Sequence, residues 1–180
     1  MKKTALVSLV SVLLVALTAC GGSDDKKKEA SGPSRSEVVA AFAKEFSSTQ
    51  TGALDKKEAD CFASDFVEKA GVDRLRAAKI VNAKGEVSQE NAEFDEELAT
   101  QYAEAFLGCV DFTAKQASVI AAADKKVDEK KLAECLDKAL PDDFVTRFIV
   151  SSYLESKDVE ALRAQSAAKL EKCRDSAAAK

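Results

Sequence analysis

The chain has 180 residues, of which 27 are basic, 31 are acidic and none is histidine, so that its net charge is −4. That balance argues against nucleic-acid binding, which requires a clustered basic face. The absence of histidine removes the commonest general base at neutral pH and every Ser-His or Cys-His catalytic arrangement. We therefore predict a protein with no catalytic residues, no metal and no cofactor.

The amino-terminal segment has the composition of a secretory signal. Lys2 and Lys3 precede the uncharged residues Thr4–Ala19, a run shorter than the roughly 20 residues that a membrane-spanning helix needs. The run ends in Leu17-Thr18-Ala19-Cys20, which resembles the lipobox of bacterial lipoproteins. The resemblance implies that residues 1–19 are a cleaved signal peptide. It also implies that the Cys20 thiol carries a diacylglycerol with fatty-acyl chains such as palmitate.

Two acyl chains hold a protein stably on a membrane, whereas one chain binds only marginally. We therefore expect a membrane partner, reached through the lipid on Cys20, and a location on the extracytoplasmic side of the cell membrane. The alternatives are a soluble secreted protein whose signal contains a cysteine, and a short uncleaved anchor. Cleavage would remove Lys2 and Lys3 and lower the net charge to about −6.

Residues 20–34 form a predicted linker between the lipid and the folded part. The stretch GGSDDKKKEASGPS, Gly21 to Ser34, is polar and has no large apolar residue that could be buried. Such a segment behaves as a flexible tether. The predicted folded domain therefore covers residues 35–176.

Helical spacing dominates the predicted domain. Apolar residues recur every three or four positions, the one-face pattern of amphipathic helices, at Phe94, Leu98, Tyr102, Phe106 and Cys109 and again at Phe144 and Phe148. Capping boxes are predicted at Ser34 with Glu37 and at Asp55 with Glu58. The pattern predicts an all-α bundle with helices near 35–48, 55–70, 73–82, 89–108, 112–123, 127–140, 142–155 and 157–175.

Four cysteines follow Cys20, and an even count in an exported protein favours disulfides. DKKEADCF (Asp55 to Phe62) resembles EKKLAECL (Glu129 to Leu136), which suggests two weakly repeated halves, 35–110 and 111–176. Each half has an early cysteine and a late one, and antiparallel helices bring such positions together. This geometry favours Cys61–Cys109 and Cys135–Cys173 among the three possible pairings. A four-cysteine metal site lacks the close ligand pairs of zinc sites, and free buried thiols are the remaining alternative.

The layout resembles a loose group of alanine-rich, secreted helical lipoproteins from Gram-positive bacteria with GC-rich genomes. The resemblance rests on the lipobox, on EADCFASDFVEKAGVDRL (Glu58 to Leu75) and on AFLGCVDF (Ala105 to Phe112). It covers most of the chain after Ser34 and brings no activity with it.

Weaker motifs have structural explanations. The acidic clusters Asp95-Glu96-Glu97 and Asp142-Asp143 lie where helix dipoles favour acids, so we interpret them as helix caps. Ser166 to Lys169 matches the SxxK of penicillin-binding enzymes by chance, since KTG and SDN are missing. Asp124 to Lys131 lacks the glycine and the glutamate spacing of a calcium loop.

We therefore expect a lipid-anchored, extracytoplasmic binding protein without catalytic activity, with a protein or a cell-wall component as its partner. The alternative is a carrier or sensor of a small apolar ligand held between helices. Phenylalanines on helical faces are more often core than pocket lining, and a dry pocket of a few hundred Å³ would favour this alternative. An enzyme that uses carboxylates is the third hypothesis.

Overall fold

A computed structural model describes residues 32–47, 54–88 and 92–178. The predicted signal peptide, the lipidation site Cys20 and the predicted linker as far as Ser31 lie outside these residues. The described chain is an all-α bundle, as predicted. Its helices are α1 (Arg35–Ser47), α2 (Lys56–Ala70), α3 (Val72–Ala77), α4 (Glu96–Cys109), α5 (Phe112–Ala123), α6 (Glu129–Ala139), α7 (Asp142–Tyr153) and α8 (Val159–Ala177).

Both predicted capping boxes are present. The backbone N–H of Ser34 donates to the Glu37 carboxylate at 2.7 Å, and the Glu37 N–H donates back to the Ser34 hydroxyl at 3.3 Å. At α2, the Glu58 N–H donates to the Asp55 carboxylate at 2.9 Å, and the Asp55 N–H donates to Glu58 at 2.8 Å. These bonds satisfy amide groups that have no partner in the first helical turn.

Two predicted helix boundaries are wrong: the end of helix 73–82 and the start of helix 89–108. Helix α3 ends at Ala77 because Lys79 has a φ of 58° and the N–H groups of Ile80 and Val81 both donate to the Leu75 carbonyl. Helix α4 begins only after Asp95, whose carboxylate accepts the Leu98 N–H at 2.8 Å. Between them, Gly85 (φ 83°) lies in a turn closed by an antiparallel bridge from Val81 to Val87.

A first hydrophobic cluster joins α1, α2, α3 and α4, and Phe62 lies within it, fully buried. The Phe62 ring centroid is 4.9 Å from that of Phe46, 5.0 Å from that of Tyr102 and 6.2 Å from that of Phe106. Burying one such ring stabilises the fold by about 1.5–3 kcal/mol.

A second hydrophobic cluster joins α5, α6, α7 and α8 around the fully buried Leu132 and Leu136. Helix α7 contributes Phe144 and Val145 to this cluster, and it also packs against α4. Between α2 and α5, Lys115 forms an ion pair with Glu58. Helix α7 therefore contacts helices of both clusters.

Two disulfides fasten the bundle, and their pairing is the predicted one. Cys61 of α2 is bonded to Cys109 of α4, with 5.7 Å between their Cα atoms. Cys135 of α6 is bonded to Cys173 of α8, with a Cα separation of 5.5 Å. Each disulfide thus joins two neighbouring helices of one cluster.

The carboxyl-terminal end of α8 returns to the beginning of α6. An antiparallel bridge pairs Ala178 with Val127, and the Asp128 N–H donates to the Ala177 carbonyl at 3.0 Å. Cys173 and Ala177 are both buried in the second cluster. The last turns of α8 are therefore held by main-chain bonds as well as by a disulfide.

Candidate ligand-binding cavity

A cavity of about 220 Å³ lies where α1, α2, α4 and α7 meet the turn that precedes α4. Its lining is mostly aromatic and apolar. The described lining residues are Phe42, Phe46, Phe66, Ile80, Val87, Ala92, Phe94, Tyr102, Ser152, Tyr153 and Glu155. Ligand pockets in proteins typically combine such a lining with a few polar groups.

The aromatic rings form a connected framework around this cavity. Phe42 contacts Phe46 and Phe66 at centroid distances of 6.1 and 5.6 Å, and Tyr102 contacts the same two rings at 6.3 and 5.3 Å. Each of these four rings therefore contacts two of the others. Such aromatic pairs add about 0.5–1.5 kcal/mol each beyond simple burial, so the contacts stabilise the arrangement of the rings around the cavity.

Tyr153 of α7 also contacts this framework of rings. Its ring stacks on Phe94 at 4.1 Å and meets Tyr102 edge-on at 4.8 Å. Tyr153 lies in the last turn of α7, more than two turns after Phe144 and Val145, which pack into the second cluster. The cavity wall thus comes from both predicted halves of the domain, 35–110 and 111–176.

Two tyrosine hydroxyls supply polar groups in an apolar surrounding. Burial raises the pKa of Tyr102 well above its ordinary value, and the neighbouring Tyr153 raises that pKa further by charge repulsion and by a hydrogen bond. Burial also raises the pKa of Tyr153, although the hydrogen bond with Tyr102 lowers it. Both phenols are therefore neutral at physiological pH and can exchange hydrogen bonds with a ligand.

The remaining polar residues of the lining come from the end of α7. Ser152 is exposed, and its hydroxyl donates to the Phe148 carbonyl at 2.7 Å. Glu155 follows α7 and is also exposed. The cavity is therefore lined by rings on its inner side and by polar groups towards solvent.

The other predicted site residues have structural partners. The Asp95 carboxylate caps α4, and the guanidinium of Arg74 contacts both Asp95 and Glu97. The hydrogen bond from the Leu98 backbone N–H lowers the pKa of Asp95 below its ordinary value, and the Arg74 guanidinium lowers it further, against the opposing effect of burial. Asp142 and Asp143 lie in the first turn of α7. Both acidic clusters are at helix starts, as predicted.

The segment that matches SxxK, Ser166 to Lys169, takes part in helix packing. Lys169 donates to the Ala139 carbonyl at the end of α6 at 2.6 Å, and its ammonium lies 4.0 Å from the centroid of Phe144. This arrangement binds the lysine to a helix terminus and a ring. Ser166, on the same helix, is half-buried.

The calcium-loop-like stretch is a helix connection. Asp124 accepts the Lys126 N–H at 3.0 Å, and Asp128 caps α6 by accepting the Lys131 N–H at 3.0 Å. Within residues 32–47, 54–88 and 92–178, no three Cys, Asp or Glu side chains are grouped so as to hold a metal ion. None of the helices in those ranges is long and apolar enough to cross a membrane.

Sequence reasoning favoured a core role for the phenylalanines, kept a ligand pocket between helices as the alternative, and did not locate the cavity. Phe42 and Phe66 are indeed buried, yet they line it together with Phe46 and Phe94. The signal that could have located it is the pair of tyrosines on apolar helical stripes, because a buried phenol needs a hydrogen-bond partner. No protein-family model, no curated protein and no solved structure matches this chain.

Proposed function

We propose that this chain is a lipid-anchored extracytoplasmic binding protein without catalytic activity, and that it holds a small, largely apolar ligand in the aromatic cavity. The observation that carries the proposal is that cavity of about 220 Å³ with six aromatic rings in its lining. An apolar cavity of about 150 Å³ is large enough to bind benzene, so this one suits a molecule somewhat larger than a single ring.

The exterior of the domain supports this ligand more than it supports a protein or cell-wall partner. Among the described residues, the exposed large hydrophobics are Val119 and Leu154, with 62% and 37% of their surface accessible. Val119 lies on α5, whereas Leu154 directly follows α7. Macromolecular interfaces are usually marked by larger contiguous apolar patches.

The proposed location comes from the sequence. The lipobox-like Leu17-Thr18-Ala19-Cys20 would place a lipid at the start of the mature chain, and the polar residues 21–34 would hold the domain near the membrane. A binding domain so tethered would capture its ligand outside the cell. Carriers and sensors both fit that arrangement.

Naphthalene is a suitable probe because it is a neutral bicyclic molecule. The two tyrosines of the chain both line the cavity, and the chain has no tryptophan, so intrinsic fluorescence reports on the cavity directly. We expect naphthalene to change this fluorescence in a saturable way and to bind with measurable heat.

A cavity-filling variant makes the test specific. Ser152→Phe places a ring at the exposed side of the lining and should weaken naphthalene binding at least tenfold, or about 1.4 kcal/mol. Ser118→Phe is the matched control, because Ser118 is exposed on α5 and does not line the cavity. Naphthalene binding that Ser152→Phe leaves unchanged, or no binding to the parent chain, would contradict the proposal.

A further inference from the structure

The charge carried by the described residues of the cavity lining is negative. Among the described lining residues Glu155 is the one that carries a charge, and no lysine or arginine is among them. Glu155 forms no ion pair with a described residue. An anionic ligand would therefore meet repulsion without compensation, whereas a cation would meet an unpaired carboxylate.

The backbone at Glu155 is unusual for a glutamate. Its φ is 48°, in the left-handed region, and the Ser156 N–H donates to the Ser151 carbonyl at 3.0 Å. That bond closes α7 in the manner of a Schellman motif, in which the residue at the position of Glu155 is usually glycine. A side chain there costs conformational energy that glycine would avoid. Strain of this kind is concentrated at functional sites.

Aromatic rings favour the same kind of ligand as the carboxylate does. The face of each ring carries partial negative charge and attracts an ammonium or quaternary ammonium group within about 6 Å of the centroid. Tyr102 and Tyr153 bring the same property together with hydroxyl oxygens that accept hydrogen bonds. The rings and Glu155 therefore both favour a positively charged ligand.

We propose that the cavity selects a small organic cation, in which an ammonium or quaternary ammonium group lies near Glu155 and an apolar body lies among the rings. This inference rests on the proposed function, since it requires that the cavity bind a ligand. The inference adds that the ligand is positively charged and that Glu155 recognises this charge.

Three probes of nearly the same shape separate the two claims. Phenyltrimethylammonium, tert-butylbenzene and benzenesulfonate each carry a tetrahedral group on a phenyl ring, with positive, zero and negative charge. We expect the cation to bind about tenfold more tightly than the neutral compound, and benzenesulfonate to bind most weakly. Calorimetry and tyrosine fluorescence on the full chain provide the dissociation constants.

Variants at Glu155 identify the source of the preference. Glu155→Gln should weaken phenyltrimethylammonium binding roughly threefold and change tert-butylbenzene binding by a smaller factor, because the neutral compound has no charge for the carboxylate to attract. Glu134→Gln is the matched control, because Glu134 is exposed on α6 and away from the cavity. Glu155→Gly should raise the thermal unfolding midpoint by relieving the left-handed φ and yet lose the same cation affinity, so misfolding cannot explain that loss.

Each outcome has a distinct meaning. The inference is supported if the parent chain prefers the cation and this preference is reduced in both Glu155 variants. Equal or tighter binding of tert-butylbenzene or benzenesulfonate, or a cation preference that survives in Glu155→Gln, overturns it while the proposed function stands. If these probes and naphthalene all fail to bind the parent chain, the inference and the proposed function both fall.

Discussion

Tyr102 and Tyr153 are the two tyrosines of the chain, and both lie on the wall of one cavity. A phenol in an apolar setting resists ionisation, because the charged form loses its hydration. The folded state therefore holds both protons more firmly than the unfolded state does. Ultraviolet absorbance can follow the ionisation of these tyrosines without overlapping tryptophan absorbance, since the chain has no tryptophan.

We predict that the native chain releases its tyrosine protons at a higher pH than the chain in denaturant, where the pKa is about 10. Because both folded pKa values are raised, their contribution to the free energy of unfolding is fully present below about pH 10. It is lost as pH rises through the folded values. Tyr153→Phe should leave one titrating phenol that is still shifted upward by burial. A native titration curve that overlays the denatured one would contradict this prediction.

At the scale of elements, local signals defined some helix ends and tertiary contacts defined others. Ser34 and Asp55 cap their helices through residues three positions away, so the sequence alone predicts them. The start of α4 depends on Asp95, which also binds Arg74 from α3, 21 residues earlier. Such a contact has no local signature, which is why the predicted start at residue 89 was wrong.

The same limit applies to the cavity. Helical stripes predict that Phe42, Phe66 and Tyr102 face inward, but they do not predict how well rings from separate helices fill the shared space. The disulfides were predictable because only three pairings existed and antiparallel helices favour one of them. The cavity required the positions of α1, α2, α4 and α7 together.

The two disulfides differ in accessibility. Cys61 is exposed and Cys109 is half-buried, whereas Cys173 has only 1% of its surface accessible and Cys135 is half-buried. Both close long loops, with sequence separations of 48 and 38 residues. In the chain-entropy model, each would stabilise the fold by roughly 4 kcal/mol.

We predict that a limited amount of reductant cleaves Cys61–Cys109 before Cys135–Cys173, because thiolate attack requires access to sulfur. Alkylation of the freed thiols followed by peptide mass analysis gives the order. In the denatured chain, which is the control, the two bonds should be reduced at similar rates. Earlier cleavage of Cys135–Cys173 in the native chain would be evidence against accessibility as the determining factor.

For the whole molecule, the described domain and the lipobox-like segment have separate tasks in the proposed function. The domain encloses a cavity between helices of its two hydrophobic clusters. The segment before it would determine where the domain works. A diacylglycerol on Cys20 would contribute enough apolar surface to hold the chain stably on a membrane.

We predict that the parent chain, produced in bacteria, fractionates with membranes and carries a diacylglycerol on Cys20. Cys20→Ser should abolish the modification and shift the protein out of the membrane fraction, because serine has no thiol to acylate. Ser23→Ala, three residues further on, is the control and should retain both properties. Mass spectrometry that finds an unmodified Cys20 thiol in the mature chain would reject the proposed anchor.

The return of α8 to the start of α6 has a consequence for digestion by exopeptidases. Ala177 and Ala178 are held by a main-chain hydrogen bond and a β-bridge, and Cys173 is covalently fixed one turn earlier. An exopeptidase must draw an extended, unpaired end into its active site. Trimming that reaches Ala178 would therefore stall there, and the domain would resist digestion by peptidases that shorten frayed helices.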